Sequence, residues 1–177
     1  MRHAPSATDL PDRQAPRPRL LTVVPGAGFT FETGCLMRGL ADDFDLTFLR
    51  TEYGGLPGQA GLPNGESFAV RPFETLTQPS VLHSARAFVD AFFVTLKVLH
   101  RRKVELVVVV GSPHAVPILL AARLSRVRTA FVESITRVDQ LSRTGNLVRR
   151  LRLASHLFVQ WPALQALYVG VELGTIL

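Results

Sequence analysis

Apolar residues recur along the chain with two periods in alternation, one suited to strands and one to helices. Leu20-Leu21-Thr22-Val23-Val24 is a short apolar run rich in β-branched residues, and Pro25-Gly26-Ala27-Gly28 closes it, which predicts a buried strand ending in a turn. Residues 30–40 contain no proline and space Leu36, Met37 and Leu40 for a helix. Phe44–Leu49 and Ser67–Arg71 predict a second strand and a short third one, separated by a loop at Tyr53–Pro63 that is rich in glycine and proline. Within residues 81–102, Val81, Ala85, Phe88, Val89, Phe92, Leu96 and Leu99 predict one apolar helical face. His100-Arg101-Arg102-Lys103 follows, where the helix dipole favours cations. Val104–Val110 is apolar on both faces, as a central parallel strand is, and runs into Gly111-Ser112-Pro113-His114. A helix at Val116–Leu124, a strand at Arg128–Val132, a basic amphipathic segment at Asn146–Ala154 and a last strand near Leu157–Val159 complete the alternation.

Strands alternating with helices imply the α/β class, here a Rossmann-like parallel sheet with helices on both faces. A chain of 177 residues buries one ordinary core, so a single domain over 20–177 is expected. Residues 1–19 hold four Pro and four Arg without an apolar stretch; they read as a disordered tail rather than a signal peptide or a membrane anchor. Asp90 and Lys97 interrupt the most apolar window, 85–100, so no spanning helix is expected. Ligands of such sheets bind at the carboxyl ends of strands, which points to three loops, Gly26–Thr30, Gly111–His114 and Glu133–Arg137.

Charge sharpens this picture. Residues 1–96 carry 8 basic and 10 acidic side chains and residues 97–177 carry 12 and 4, a net −2 against +8, so an anionic partner is expected on the C-terminal half. The lone Cys35 excludes an internal disulfide and a multi-cysteine zinc site, and no metal or other cofactor is expected. Trp161 and two tyrosines are too few and too scattered for a stacking platform, which argues against nucleic acid.

Several residues could carry chemistry. Gly26 and Gly28 supply two of the three glycines of a dinucleotide loop, but Phe31 stands where the third would be, and Glu52 lies near the distance expected of a ribose-binding acid. A nucleotide-dependent oxidoreductase is therefore a weaker alternative. His114, after the strongest strand, has the pKa range of a general base, or is a loop histidine beside a helix start. Glu133 could orient a hydroxyl or cap the next segment. Arg149, Arg150 and Arg152 among Leu147, Val148, Leu151 and Leu153, together with Phe92 and Phe93 of the Phe-rich helix, would suit an anionic membrane surface.

Phe131-Val132-Glu133-Ser134-Ile135-Thr136-Arg137-Val138, Leu141-Ser142-Arg143-Thr144-Gly145, Phe158-Val159-Gln160-Trp161-Pro162 and Tyr168 together resemble the acceptor-side, membrane-associated subunit of split GT-B glycosyltransferases. That family comprises bacterial PssD-type exopolysaccharide proteins and the eukaryotic asparagine-linked-glycosylation subunit that recruits the UDP-GlcNAc transferase partner. Gly111 through Pro117 agrees with its glycine- and proline-containing loop. The resemblance implies the N-terminal-type half of a GT-B enzyme, peripheral on the cytoplasmic face of the membrane. It would act with a small donor-binding subunit that holds the UDP-sugar and on a lipid-linked saccharide acceptor in polysaccharide or oligosaccharide biosynthesis. It further implies Glu133 or His114 as the base, Gly26, Gly28, Gly111, Ser112, Ser134 and Arg137 around the acceptor and its diphosphate, and Gln160, Trp161 and Tyr168 as structural or partner-facing. The family's Gly-Gly-His is Ala27-Gly28-Phe29 here, so its loop histidine is absent and His114 is the substitute. The lack of an anchor in 1–19 favours a bacterial-type member. A non-catalytic membrane recruiter of the partner is the alternative.

Overall fold

The computed structural model describes residues 16–26, 28–51, 61–73 and 80–176. In chain order they form β1 (Arg19–Val24), α1 (Gly28–Leu40), β2 (Asp45–Thr51), β3 (Glu66–Val70), α2 (Val81–Arg102), β4 (Leu106–Val110), α3 (Ala115–Leu124), β5 (Arg128–Val132), α4 (Arg143–Arg150), β6 (His156–Val159), α5 (Pro162–Leu167) and β7 (Glu172–Leu173). The strands make one sheet in the order β3-β2-β1-β4-β5-β6-β7, every neighbouring pair parallel. The order reverses between β1 and β4, the switch point at which a doubly wound sheet opens a crevice.

Alternation along β4 splits the core. Val107 and Val109 face one layer with Val98, Leu99, Ile118, Leu119, Val148 and Leu164 of the four later helices, and Val108 and Val110 face the other with Met37 of α1. Because each helix runs back against its strands, helix N-termini and strand carboxyl ends share one rim. Ser80 caps α2 by accepting from His83 N at 3.3 Å, and the helix ends where Lys103 takes φ 48° and its N–H returns to Leu99 O.

Several expectations are corrected. The buried face of α2 is Ala87, Ala91, Thr95, Val98 and Leu99, whereas Val81 and Val89 point outward. The small residues at i, i+4 spacing let α2 lie close on the alanine-rich α3, which displaces the larger side chains to the flank. The basic segment forms a helix over 143–150 rather than 146–154, because Ser142 provides the cap three residues ahead of Gly145 N. The sheet also continues past the expected last strand, through α5 and β7. Arg19 already belongs to β1. Residues 1–15 of the expected tail and most of the Tyr53–Pro63 loop lie outside the described residues.

The positive half of the chain does not face the crevice as a block. Arg102 reaches Glu66 at 2.7 Å and Asp45 at 3.7 Å, at the amino ends of β3 and β2. Arg149, Arg150 and Arg152 close α4, and the adjoining Leu153 carbonyl accepts from Thr129 Oγ1 near the start of β5. Those cations occupy the rim opposite the switch point.

Candidate functional site

Three parallel neighbours, β1, β4 and β5, end side by side, so the loops that follow them converge, as their positions in the sequence predict. The loop after β5 is the most elaborately held. Glu133 is 1% exposed. Its Oε1 accepts the Ser134 N–H at 3.1 Å, and its Oε2 accepts both the N–H of Ser142 at 2.9 Å and its hydroxyl at 3.0 Å. Burial raises the Glu133 pKa; the donors from Ser142 and Ser134, and more weakly the Arg137 charge, oppose the rise. The carboxylate thus ties the start of the loop to the residue that caps α4.

A second carboxylate, which sequence reasoning missed, holds the same loop from the other side. Glu32, in α1 and 6% exposed, accepts the Ser134 hydroxyl at 2.7 Å and the Ile135 N–H at 3.1 Å. The available signal was the run Thr30, Glu32, Thr33 and Gly34, a polar and small face on a helix that otherwise carries Phe29, Phe31, Leu36, Met37 and Leu40. That face is buried. Ser134 Oγ lies 3.0 Å from Thr136 Oγ1, and Thr136 and Arg137 are exposed.

The loop after β6 adds the third support. Gln160 Nε2 donates to Glu133 O at 2.9 Å and Trp161 Nε1 to Ile135 O at 2.7 Å, while Tyr168 Oη accepts from Leu141 N at 3.4 Å. All three bear on residues 133–141. Trp161 is 38% exposed and offers part of its ring at the rim.

In the loop after β4, Gly111 has φ +58°, and a Cβ there would run into the Phe29 ring. The Phe29 ring of α1 therefore lies directly against the Gly111 backbone. Ser112 and His114 are buried against each other: Ser112 Oγ accepts the His114 N–H at 3.2 Å and lies 3.1 Å from Nδ1. Nε2 lies 3.0 Å from the Arg71 carbonyl, which can only accept, so the ring carries its proton on Nε2 and Nδ1 accepts from the serine. Burial lowers the His114 pKa, with the Arg71 carbonyl acting in the opposite direction. The Phe73 ring meets the imidazole edge to face at 4.6 Å.

The structure thus brings together Glu133, Ser134, Arg137, Gln160 and Trp161, with Gly111, Ser112 and His114 in the adjoining loop and Gly26 and Gly28 at the entry to α1. Gly28 is exposed, with open space where a Cβ would stand. Phe92 and Phe93 lie apart, on α2. Phe93 is 61% exposed and lines an open groove of about 630 Å³ with Arg71, Ala85, Arg86, Val89 and Asp90. Among the described residues no helix is long and apolar enough to cross a membrane, and no cluster of His, Cys, Asp or Glu could hold a metal ion.

A family model described as "Oligosaccharide biosynthesis protein Alg14 like" matches residues 75–177. The human UDP-N-acetylglucosamine transferase subunit ALG14 is 36% identical over 93 residues, 49% of this chain and 42% of that protein. Its Rattus norvegicus counterpart is 34% identical over 104 residues, 55% of this chain and 47% of that protein. The match spans less than half the length of these relatives. Among solved structures, Acinetobacter baumannii MurG superposes on 90% of this chain and 45% of its own, with a TM-score of 0.67 at 18% identity. The Streptomyces glycosyltransferase SsfS6 superposes on 91% of this chain and 55% of its own, with a TM-score of 0.62 at 13% identity. At these identities the likeness is one of fold: the parallel sheet and its helices superpose on about half of each of these two-part structures.

Proposed function

The chain belongs to the Alg14-like family of oligosaccharide biosynthesis proteins, and on that premise we propose that it is the acceptor-binding, membrane-associating subunit of a two-component UDP-GlcNAc transferase acting on a polyprenyl-diphosphate-linked saccharide. A donor-binding subunit would close over the carboxyl rim of the sheet and hold the UDP-sugar, so no further cofactor is needed. The observation that carries this reading is the 133–142 loop: two buried carboxylates and the Gln160-Trp161 pair fix its backbone, and its exposed face presents Thr136 and Arg137. A ledge immobilised in this way suits positioning of an acceptor, since orientation alone removes several kcal/mol of a transfer barrier, on the order of 7 or more. Arg137 would pair with the acceptor diphosphate in charge-assisted contacts, beside the backbone of Gly26, Gly28 and Gly111. The acceptor hydroxyl would attack the anomeric carbon while UDP departs. The reading is tested by co-purifying this chain with its donor-binding subunit and assaying transfer from labelled UDP-GlcNAc to a polyprenyl-diphosphate acceptor. Transfer only by the pair supports it; transfer by this chain alone, or none with the pair, refutes it.

One observation favours a second reading, a recruiter that supplies no proton acceptor. Glu133 and His114 already have their polar atoms engaged by Ser134, Ser142, Ser112 and the Arg71 carbonyl. A partner fully active alone on a detergent-dispersed acceptor would decide for the recruiter.

A further inference from the structure

Each of the two buried carboxylates at the rim carries a hydroxyl, and only one of these chains has an outlet. Ser142 donates to Glu133 Oε2 and its oxygen accepts the Gly145 N–H at 2.9 Å, so that chain ends on a backbone amide. The other differs. The one proton on Ser134 Oγ goes to Glu32 Oε1 at 2.7 Å. The same oxygen lies 3.0 Å from Thr136 Oγ1 and 3.4 Å from the Thr136 N–H. With its proton committed, Ser134 must accept in both contacts, so the Thr136 hydroxyl donates inward. That leaves the lone pairs of Thr136 Oγ1 facing outward, on an exposed residue of the loop that faces the crevice.

We propose that Thr136, Ser134 and Glu32 form a proton relay for the transfer, with Thr136 touching the acceptor hydroxyl and Glu32 as the positioning residue at the buried end. The proposal rests on the function argued above. As the acceptor oxygen bonds to the anomeric carbon, the bond from that carbon to the UDP oxygen breaks and UDP leaves with the electron pair. The acceptor proton passes to Thr136 Oγ1, the Thr136 proton to Ser134 Oγ and the Ser134 proton to Glu32 Oε1. Glu32 ends as a carboxylic acid and returns its proton to solvent by the reverse path.

The experiment compares the wild-type, Thr136→Val, Thr136→Ser and Glu32→Gln chains, each with the donor-binding subunit, labelled UDP-GlcNAc and a polyprenyl-diphosphate acceptor. Thr136→Val keeps the shape of an exposed side chain and removes only the hydroxyl, so folding is not at stake. The relay predicts a kcat loss on the order of 10²-fold for Thr136→Val at unchanged donor KM, the scale of positioned proton transfer. Thr136→Ser should restore most of it. Glu32→Gln keeps an amide oxygen for the Ser134 hydroxyl but cannot take up a proton, and its NH2 meets the Ile135 N–H that Oε2 accepts in the parent, so its kcat should fall at least as far as that of Thr136→Val. Wild-type turnover in Thr136→Val overturns the relay while the transferase reading stands. A wild-type pair with no transfer removes both.

Discussion

Gly145 backs directly onto Glu133: a Cβ at this position would collide with Oε2 and lie 3.3 Å from both the Glu133 Cδ and the Ser142 Oγ. In an open helix, Gly→Ala stabilises by about 1 kcal/mol. Here the sign should reverse, because three donors hold the buried carboxylate and it cannot swing aside without leaving polar groups unpaired. Gly145→Ala is expected to destabilise by about 2–3 kcal/mol. Denaturant unfolding of the two chains measures this; a stability equal to or above the parent would show that the loop is not fixed by that carboxylate.

Gly111 and Phe29 make a separable pair. Gly111→Ala meets two obstacles, the ring and a φ of +58°. The left-handed backbone costs a residue with a Cβ roughly 1–2 kcal/mol. Combining Gly111→Ala with Phe29→Ala should recover the steric part and leave the backbone part, so the two changes should be non-additive by more than about 1 kcal/mol in a double-mutant cycle. Strict additivity would mean that the ring does not lie against the Gly111 backbone.

His114 gives a pH signature with a definite sign. Burial lowers its pKa from 6.5, so as pH falls below about 6.5 the unfolded chain takes up a proton that the folded chain refuses, and stability declines until the lowered folded value is passed. Glu133 works oppositely. Its pKa is raised from 4.5, so its contribution favours the fold at low pH and is lost as pH rises through the folded value. The two overlap, and the comparison of parent with His114→Gln isolates the histidine. Between about pH 5 and 7 the parent should lose stability on acidification more steeply than the variant. Parallel profiles would show that the imidazole is protonated without penalty.

The sheet was legible because its two central strands, β1 and β4, are continuous apolar runs closed by Pro25-Gly26 and Gly111, as strands covered on both faces are. The pairing of loops at one rim followed from strand order alone. Helix α2 was located correctly, yet its buried face was misassigned, since side-chain size misleads where small residues permit close helix contact. Charge summed over half the chain names no face: Arg102 and the α4 arginines lie at the far ends of their helices from the crevice loops, whereas Arg137 lies in one of those loops. Glu133 and Ser134 were found because they follow a strand directly. Glu32 was not, because its partners are more than a hundred residues away, and one-dimensional spacing carries no trace of that contact.

The proposed membrane contact is open to a direct test. α2 and α4 flank α3 in one layer, and their outward faces combine apolar and basic side chains: Phe93 and Val89 beside Arg86, and Leu147 and Leu151 beside Arg150 and Arg152. Arg149 is partly engaged, its guanidinium 5.4 Å from the centre of the Tyr168 ring. Arg150 and Arg152 are the better probes. An exposed cation near an anionic bilayer contributes about 1 kcal/mol. Arg150→Gln with Arg152→Gln should therefore weaken sedimentation with phosphatidylglycerol vesicles about tenfold or more at low salt. Phe93→Ser should weaken it at every salt concentration, because apolar insertion is not screened. Raising the salt should reduce the parent's binding and spare the Phe93 effect. Equal binding to neutral and anionic vesicles, unmoved by any of these substitutions, would remove this face of the helical layer from the membrane contact.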